Sequence, residues 1–312
     1  MGMAVSILLC TRDRAPDLRA TLQSLATISV PKGIEAEVIV IDNGSSDATQ
    51  EIVKDSQFDW ATPHWILEPN AGQSNARNRG LAEAKGEVLC FVDDDLRFRS
   101  DWLAALLEPF ELGADAVAGC ISLAPHLQKP WMTPKHETMF ASTRPAEARG
   151  EVGLTGANMA FSRAVLDKVP GFDPNIGPGR LGFCDDVLFS DQILQAGVKM
   201  LRASASIVEH HFRPDRLERK NLLKAAYAQG RSLAYIAYHW GHDEVVSSVW
   251  SKLRAKLGYR RRQANGSAPS ELGAEPFELN YHVSNGYWNQ LAEEMKCPRR
   301  YEKRGLRPIL RP

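Results

Sequence analysis

The chain has 312 residues, 44% of them hydrophobic and 24% charged, which suits one large α/β domain with appendages or two modest ones. Its 38 Lys and Arg match its 38 Asp and Glu, so the formal net charge is zero and no global field draws the whole molecule to nucleic acid or membrane. The five cysteines, Cys10, Cys90, Cys120, Cys184 and Cys297, are scattered without CxxC or Cys/His ligand spacing; they support neither a zinc site nor a disulfide framework and fit a reducing cytoplasm.

Ala4 to Cys10 is predicted as a first strand and not a signal peptide, because the apolar run is short and no basic segment precedes it. Thr11, Arg12, Asp13 and Arg14 form the polar loop at its C-terminal end, and Pro16 opens a helix to about Ala26 with Leu18, Leu22 and Leu25 on one face. Glu37 to Ile41 is a second buried strand ending in Asp42, Asn43 and Gly44. Ser45 or Ser46 is the natural cap of the next helix, whereas Asp42 sits at the strand tip, caps nothing and is expected to face a ligand. A third strand, Trp65 to Leu67, leads into a helix from about Ser74 to Ala84 that carries Arg77 and Asn78. Val88 to Val92 is too short for an independent helix and suits a strand buried on both faces. It ends in Asp93, Asp94 and Asp95, at the sheet edge where open α/β folds bind ligands. Strand alternation would put Asp93 and Asp95 on one side and Asp94 on the other. Paired carboxylates there suit a hard cation, Mg2+ or Mn2+, which in turn would hold a diphosphate. The β-α-β-α order marks a Rossmann-like parallel sheet.

The first-strand loop with Thr11 and Arg14, EVIVIDNGSSDAT, NAGQSNARNRG and GEVLCFVDDD resemble, in order and at family spacing, the N-terminal half of the family 2 glycosyltransferases, whose fold is called GT-A. The resemblance is dense over residues 4 to 120. It implies that Thr11 and Asp42 hold a nucleotide base, Asp93 the ribose, and Asp95 a metal on the diphosphate, with Arg14, Asn43 and Asp94 in the same nucleotide-sugar site. The residues read by themselves also make a nucleotide site. Asp42 can accept an imide N–H, which favours uracil, and Arg77, next to Asn78, offers base or phosphate a planar fork of donors.

Ser100 caps an amphipathic helix carrying Trp102, Leu103, Leu106, Leu107 and Phe110, and Asp115 to Leu123 is a further strand. Residues 124 to 150, rich in proline, are expected to be a long irregular insertion; the corresponding family segment lies over the acceptor, which makes Trp131, His136 and Phe140 candidates for sugar stacking. In GLTGANMAFSR, the small residues Gly156 and Ala157 with Asn158 would let the backbone approach donor and acceptor sugars. Asp185 and Asp186 open a helix, where carboxylates also serve the helix dipole. The family pattern there is Glu-Asp, so the resemblance carries the general base onto Asp186, and Asp185 in place of Glu leaves Asp185 as the alternative. A family histidine on metal or diphosphate carries over to His210 or His211, at the end of the strand in Lys199 to His211. Beyond residue 213, helices are expected over Leu217 to Trp240, His242 to Gln263 and Phe277 to Met295, with a linker from Asn265 to Glu275 and a frayed basic tail. Tyr227, Gly230 and Arg231 match a YxxGR element of bacterial members.

The expected architecture is α/β: a GT-A catalytic domain over 1–213, divided near 120 into nucleotide-sugar and acceptor halves, with a mostly parallel sheet flanked by helices, and a helical C-terminal extension over 214–312. The expected function is inverting transfer from a nucleotide-diphosphate sugar, UDP-linked by preference, to a hydroxyl of a glycan, a lipid-linked or a small-molecule acceptor, with Mn2+ or Mg2+ and an Asp base. The rival readings are a nucleotidyltransferase and a non-catalytic nucleotide-sugar-binding protein. A dinucleotide cofactor is not expected, because the first loop has no glycine. Between Arg213 and Arg262 there are twelve Lys or Arg against four Asp or Glu, which suggests peripheral contact with the inner membrane face, Tyr235, Tyr238 and Trp240 sitting at headgroup level, or self-association through the same helices. No nucleic-acid partner is expected.

Overall fold

A computed structural model of the protein describes residues 3–243, 256–262 and 271–309. Strand β1 (Met3–Thr11) is the hub of the sheet, paired in parallel with β2 (Ile34–Asp42) on one side and β4 (Val88–Val92) on the other, and β3 (His64–Leu67) extends β2 in the same sense. Beyond β4 the sheet becomes mixed. β7 (Asn158–Ser162) runs antiparallel to both β4 and β6 (Ala116–Leu123), β8 (Met200–His210) runs parallel to β6, and the short β5 (Leu96–Phe98) closes the edge antiparallel to β8. The order is β3-β2-β1-β4-β7-β6-β8-β5, with a parallel first half. Four of these seven pairings are parallel, so the expectation of a mostly parallel sheet holds, with the antiparallel pairings gathered in the second half.

Helices cover both faces. Helices α1 (Ala15–Leu25), α2 (Thr49–Lys54) and α4 (Trp102–Glu111) pack Leu18, Leu22, Ile52 and Trp102 onto Ile7, Val40 and Cys90. Helices α3 (Gln73–Glu83), α7 (Val165–Lys168) and α8 (Asp185–Gln195) cover the opposite face, where Phe91, Phe161, Phe172 and Phe189 form a chain of ring contacts. Alternation along β1 sends Leu9 to the first layer and Leu8 to the second, which is why each central strand reads as unbroken apolar sequence.

The registers deliver chemistry to one edge. Thr11 lies opposite Asp42, Leu9 opposite Val92, Val92 opposite Asn158, and His210 opposite both Leu96 and Leu123. Gly156, Asp93 to Asp95 and His210 therefore emerge together.

The segment 124–150 is more ordered than its prolines suggest. It holds a 3₁₀ turn (Pro125–Leu127) and helices α5 (Pro134–Met139) and α6 (Arg144–Ala148), each with proline in its first turn, where the missing N–H costs nothing. Its aromatic candidates are mostly structural. His136 is buried and its Nε2 contacts the Ala274 carbonyl, while Phe140 is buried and stacked on Phe212 at 4.2 Å. Trp131 is half-buried, edge-on to His136 and against Gly273. Burial replaces the sugar-stacking expectation for His136 and Phe140, while Trp131 keeps part of its surface open.

The C-terminal region is built on α9 (Arg219–Tyr235), a π-helical turn (Ile236–Gly241), a short helix α10 (256–262) and α11 (Pro276–Glu294). Much of the expected second helix and of the linker falls on 244–255 and 263–270, outside the described residues. Helices α9 and α11 cross in backbone contact: a Cβ on Gly230 would lie 1.9 Å from the Val283 carbonyl oxygen, and one on Gly286 would lie 2.0 Å from that of Tyr227. Gly230→Leu is therefore expected to prise the helices apart and destabilise the fold by about 1–3 kcal/mol, read as a lower urea midpoint; an unchanged midpoint would contradict this close crossing.

Two C-terminal expectations are corrected. The tail is not frayed as far as residue 309, because Tyr301 is buried and its hydroxyl, like that of Tyr235, donates to Asp173 Oδ2, at 2.9 and 2.7 Å. Nor do the aromatics offer a headgroup belt. Tyr235 and Trp240 are buried, Trp240 donating to the Gly305 carbonyl, and Tyr238 carries the Arg299 guanidinium on its ring.

Candidate active site

The acidic run leaves the strand as a turn, so alternation stops at Val92 and the expected split of Asp93 and Asp95 from Asp94 does not occur. Arg14 instead bridges Asp94 (2.8 Å) and Asp95 (2.7 Å), and Asp94 also accepts the Thr11 hydroxyl at 2.7 Å. Burial raises Asp94 to about 7 against the pull of Arg14 and Thr11. Burial pushes Asp95 the same way, but His210 and Arg14 outweigh it and hold Asp95 well below the usual carboxylate range. The negative charge of this buried pair thus concentrates on Asp95.

His210 ends β8 and His211 lies just past it, and the two side chains find different partners. His210 is buried and its Nε2 lies 3.2 Å from Asp95 Oδ2, while His211 turns the other way to Glu209 at 2.5 Å. The metal assignment to His211 is thereby corrected. The His210 Nδ1 lies 2.7 Å from the Phe140 carbonyl oxygen, which can only accept, so Nδ1 carries the hydrogen and Nε2 is left to face a carboxylate. Two electron-rich atoms share that gap only with a cation between them, either a proton or a metal ion. A backbone carbonyl on the far nitrogen is the usual support of a metal-bound imidazole. Among the described residues no trio of His, Cys, Asp or Glu is close enough to hold a metal alone. The donor set therefore fits Mn2+ or Mg2+ completed by substrate phosphate oxygens and water, the usual manner of Mg2+ binding.

Asp185 and Asp186 part company in the same way. Asp185 is buried, with Arg77 Nη1 at 2.5 Å and the Ser74 hydroxyl at 3.4 Å. Burial raises it to about 6, opposed by Arg77, whose own proton is held more firmly by Asp185. Asp186 is partly exposed and accepts the Gly156 N–H at 2.8 Å. Its other oxygen accepts the Val187 N–H at 2.9 Å, so Asp185 is tied to a buried guanidinium and Asp186 to backbone N–H groups at a partly exposed position. Arg77 runs between the two acid groups, 3.9 Å from Asp93 and over the Phe172 ring, and a Cβ at Gly156 would sit 1.8 Å from its Nη2. The guanidinium thus occupies the space that a side chain at 156 would need.

Several expected ligand residues prove to be framework. Asn43 donates to the carbonyls of Glu68 and Asn70 and accepts Gly72 N–H, fixing the loop after β3. Asn78 clamps Phe172 through both its N–H and carbonyl. Asn158 is fully buried, donating to Cys120 and Ser206 carbonyls and accepting the Trp102 indole N–H, and Ala157 is core. Asp42 closes the turn after β2, accepting Ser45 N–H at 2.8 Å, and also accepts the Trp65 indole N–H at 3.2 Å. Each oxygen keeps a second lone pair for a ligand.

The sequence reading missed Arg216. Its guanidinium lies over Phe140 and Phe212, 5.5 and 5.3 Å from their ring centres, and makes no hydrogen bond or ion pair among the described residues. Burial lowers its proton affinity, opposed by the nearby charge of Asp95. The signal available was its place six residues after His210, within one turn of the strand end.

The sequence model of the Glycosyl transferase family 2 matches residues 6–170, more than half of the chain and the whole β1-to-β7 stretch just described. The chain belongs to glycosyl transferase family 2. Among curated family 2 relatives, the succinoglycan biosynthesis protein ExoM of Rhizobium meliloti is 36% identical over 154 residues, 47% of this chain and 48% of that one. The glucosyl-dolichyl phosphate glucuronosyltransferase of Haloferax volcanii is 29% identical over 190 residues, 56% of this chain and 58% of that one. The matched part thus spans about half the length of these relatives. A solved mannosyltransferase, PcManGT from Pyrobaculum calidifontis in complex with GDP-Man and Mn2+, superposes with a TM-score of 0.57 at 17% identity, covering 96% of this chain and 76% of that one. The likeness carries the GT-A fold of the family over nearly the full length.

Proposed function

We propose that this family 2 chain is an inverting glycosyltransferase that moves a sugar from a nucleotide diphosphate to an acceptor hydroxyl, with Asp186 as general base. The observation that carries the reading is the division of labour between adjacent carboxylates: Arg77 occupies Asp185, while the Gly156 N–H aims a partly exposed Asp186 over the same edge as Asp95 and His210. Inversion requires a base on the face opposite the leaving group, and the carboxylates stand in two separate clusters, one around Arg77 and one around Arg14. The acceptor proton passes to Asp186 as its oxygen attacks the anomeric carbon. Arg14 and Arg216 lie beside Asp95, where they can face the departing diphosphate. A divalent ion between Asp95, His210 and the diphosphate would neutralise leaving-group charge.

Asp42 supports a base with a ring N–H, uracil first; guanine, in the GDP-Man of the mannosyltransferase neighbour, offers a comparable donor. Thermal shift with UDP, GDP and their sugars, with and without Mn2+, tests the reading, because a bound ligand raises the melting temperature. His210→Ala is expected to abolish the extra stabilisation that Mn2+ gives with nucleotide diphosphate, whereas His211→Ala should retain it. Equal metal response in both variants would remove His210 from the site.

For location, no helix among the described residues is long and apolar enough to cross a membrane. The exposed Arg260, Arg261 and Arg262 support salt-sensitive docking of the extension on an anionic bilayer surface.

A further inference from the structure

Against the loop after β3 lies a cavity of about 530 Å³, lined by Asn70, Asn75, Asn175, Arg180 and Arg231. It falls within the roughly 300–1,000 Å³ of small-molecule sites. Arg180 comes from the glycine loop before α8: its Nε donates to the Ala71 carbonyl at 2.7 Å, and its stem lies on Gly72, where a Cβ would come within 2.8 Å. Arg231 comes from α9, and its Nε donates to Gln290 Oε1 on α11 at 2.8 Å. One bond from Nε fixes the plane of each guanidinium. The terminal nitrogens of both have no hydrogen bond or carboxylate within ion-pair distance among the described residues.

No carboxylate lines the cavity. Asp173, which holds Asn175 at 2.7 Å, is buried and turned to the hydroxyls of Tyr235 and Tyr301. Two oriented guanidinium forks without a counter-charge, in a concave space with asparagine amides, recognise an oxyanion, and phosphate best matches the fork geometry. The wall is tied to the proposed reaction site. Gln73 N–H donates to the Pro178 carbonyl, and the Ser74 hydroxyl, next to Asn75, reaches the Ile176 carbonyl and Asp185. One arginine comes from the acceptor half and one from the C-terminal extension, so the cavity forms only where the two meet.

We propose that this cavity binds the phosphate of a phosphate-bearing acceptor, separately from the diphosphate of the donor; the word acceptor rests on the transfer reading above, the anion site does not. The test is calorimetric titration of the full chain with inorganic phosphate, glucose 1-phosphate and octyl phosphate, in the absence and presence of saturating UDP. Wild type, Arg180→Gln and Arg231→Lys are compared, the last keeping a charge while removing the fork, with circular dichroism confirming that each is folded. The expected result is phosphate-ester binding that survives UDP and weakens at least about tenfold in each variant, the scale of losing a hydrogen bond to a charged group. Preference for octyl phosphate would point to a lipid-linked acceptor, and preference for glucose 1-phosphate to a soluble one. Absence of binding, equal binding in all three proteins, or displacement by UDP would overturn the proposal. A failure of UDP itself to bind would count against the transferase reading while leaving the anion titration intact.

Discussion

Asp186→Asn is expected to lower sugar transfer by about 10²–10⁴-fold, the range supplied by one positioned general base, while donor affinity stays close to wild type. The amide keeps the shape of the carboxylate and can still accept the Gly156 N–H through its oxygen; the contact it gives up, from the Val187 N–H, is exposed and can be replaced by water, so the loop and helix α8 should hold their places. What is lost is the basic lone pair that takes the acceptor proton. Donor hydrolysis and transfer should therefore fall together in kcat with little change in KM for the donor. Near wild-type turnover in this variant would transfer the role elsewhere, and the burial of Asp185 against Arg77 makes that neighbour a poor substitute.

Removing Arg77 should have the largest effect on stability. Arg77→Ala leaves Asp185 as an uncompensated buried charge, and breaking such a pair costs about 3–5 kcal/mol. It also deprives Asp93 of its nearest cation and Phe172 of the group lying on its ring. Replacing both partners, as Arg77→Met with Asp185→Leu, should recover much of that loss, because an apolar pair of similar volume removes the desolvation penalty with the charges. The double variant should nevertheless bind nucleotide poorly. Urea unfolding of the two singles and the double closes the cycle; a double variant as unstable as the sum of its singles would mean that the ion pair is not what holds this region.

The fold was legible in the sequence wherever periodicity and strand ends carried it. The runs in β1, β2 and β4 and the polar residues at their tips located the binding edge, and four ordered motifs fixed the family. Direction within that edge was not legible. The turn at Asp93 breaks the two-residue period, so nothing local revealed that one arginine, Arg14, would gather Asp94 and Asp95 from 80 residues away. The amides misled for a related reason. Asn43, Asn78 and Asn158 sit beside a ligand edge, but an asparagine there serves equally well to tie down irregular backbone, and only tertiary geometry shows which carbonyls it meets. The two histidines were equally ambiguous, because His210 is the last residue of β8 and His211 lies past it, where strand alternation no longer sets direction.

The grip of Tyr235 and Tyr301 on Asp173 bears on how this protein can be taken apart. Asp173 belongs to the same turn as Phe172, whose backbone is held by Asn78, one residue from Arg77. The last described stretch of the chain is thus mortared into the wall behind the proposed reaction centre. A chimera that exchanges everything after residue 213 for the tail of another member would graft on a new helix pair and at the same time unseat that turn, leaving Ile176, Leu188 and Cys184 without the cover of Tyr235, Trp240 and Tyr301. The tail and the rest of the fold are for that reason not separable modules here, and a workable exchange has to carry the Asp173 turn along with the tail.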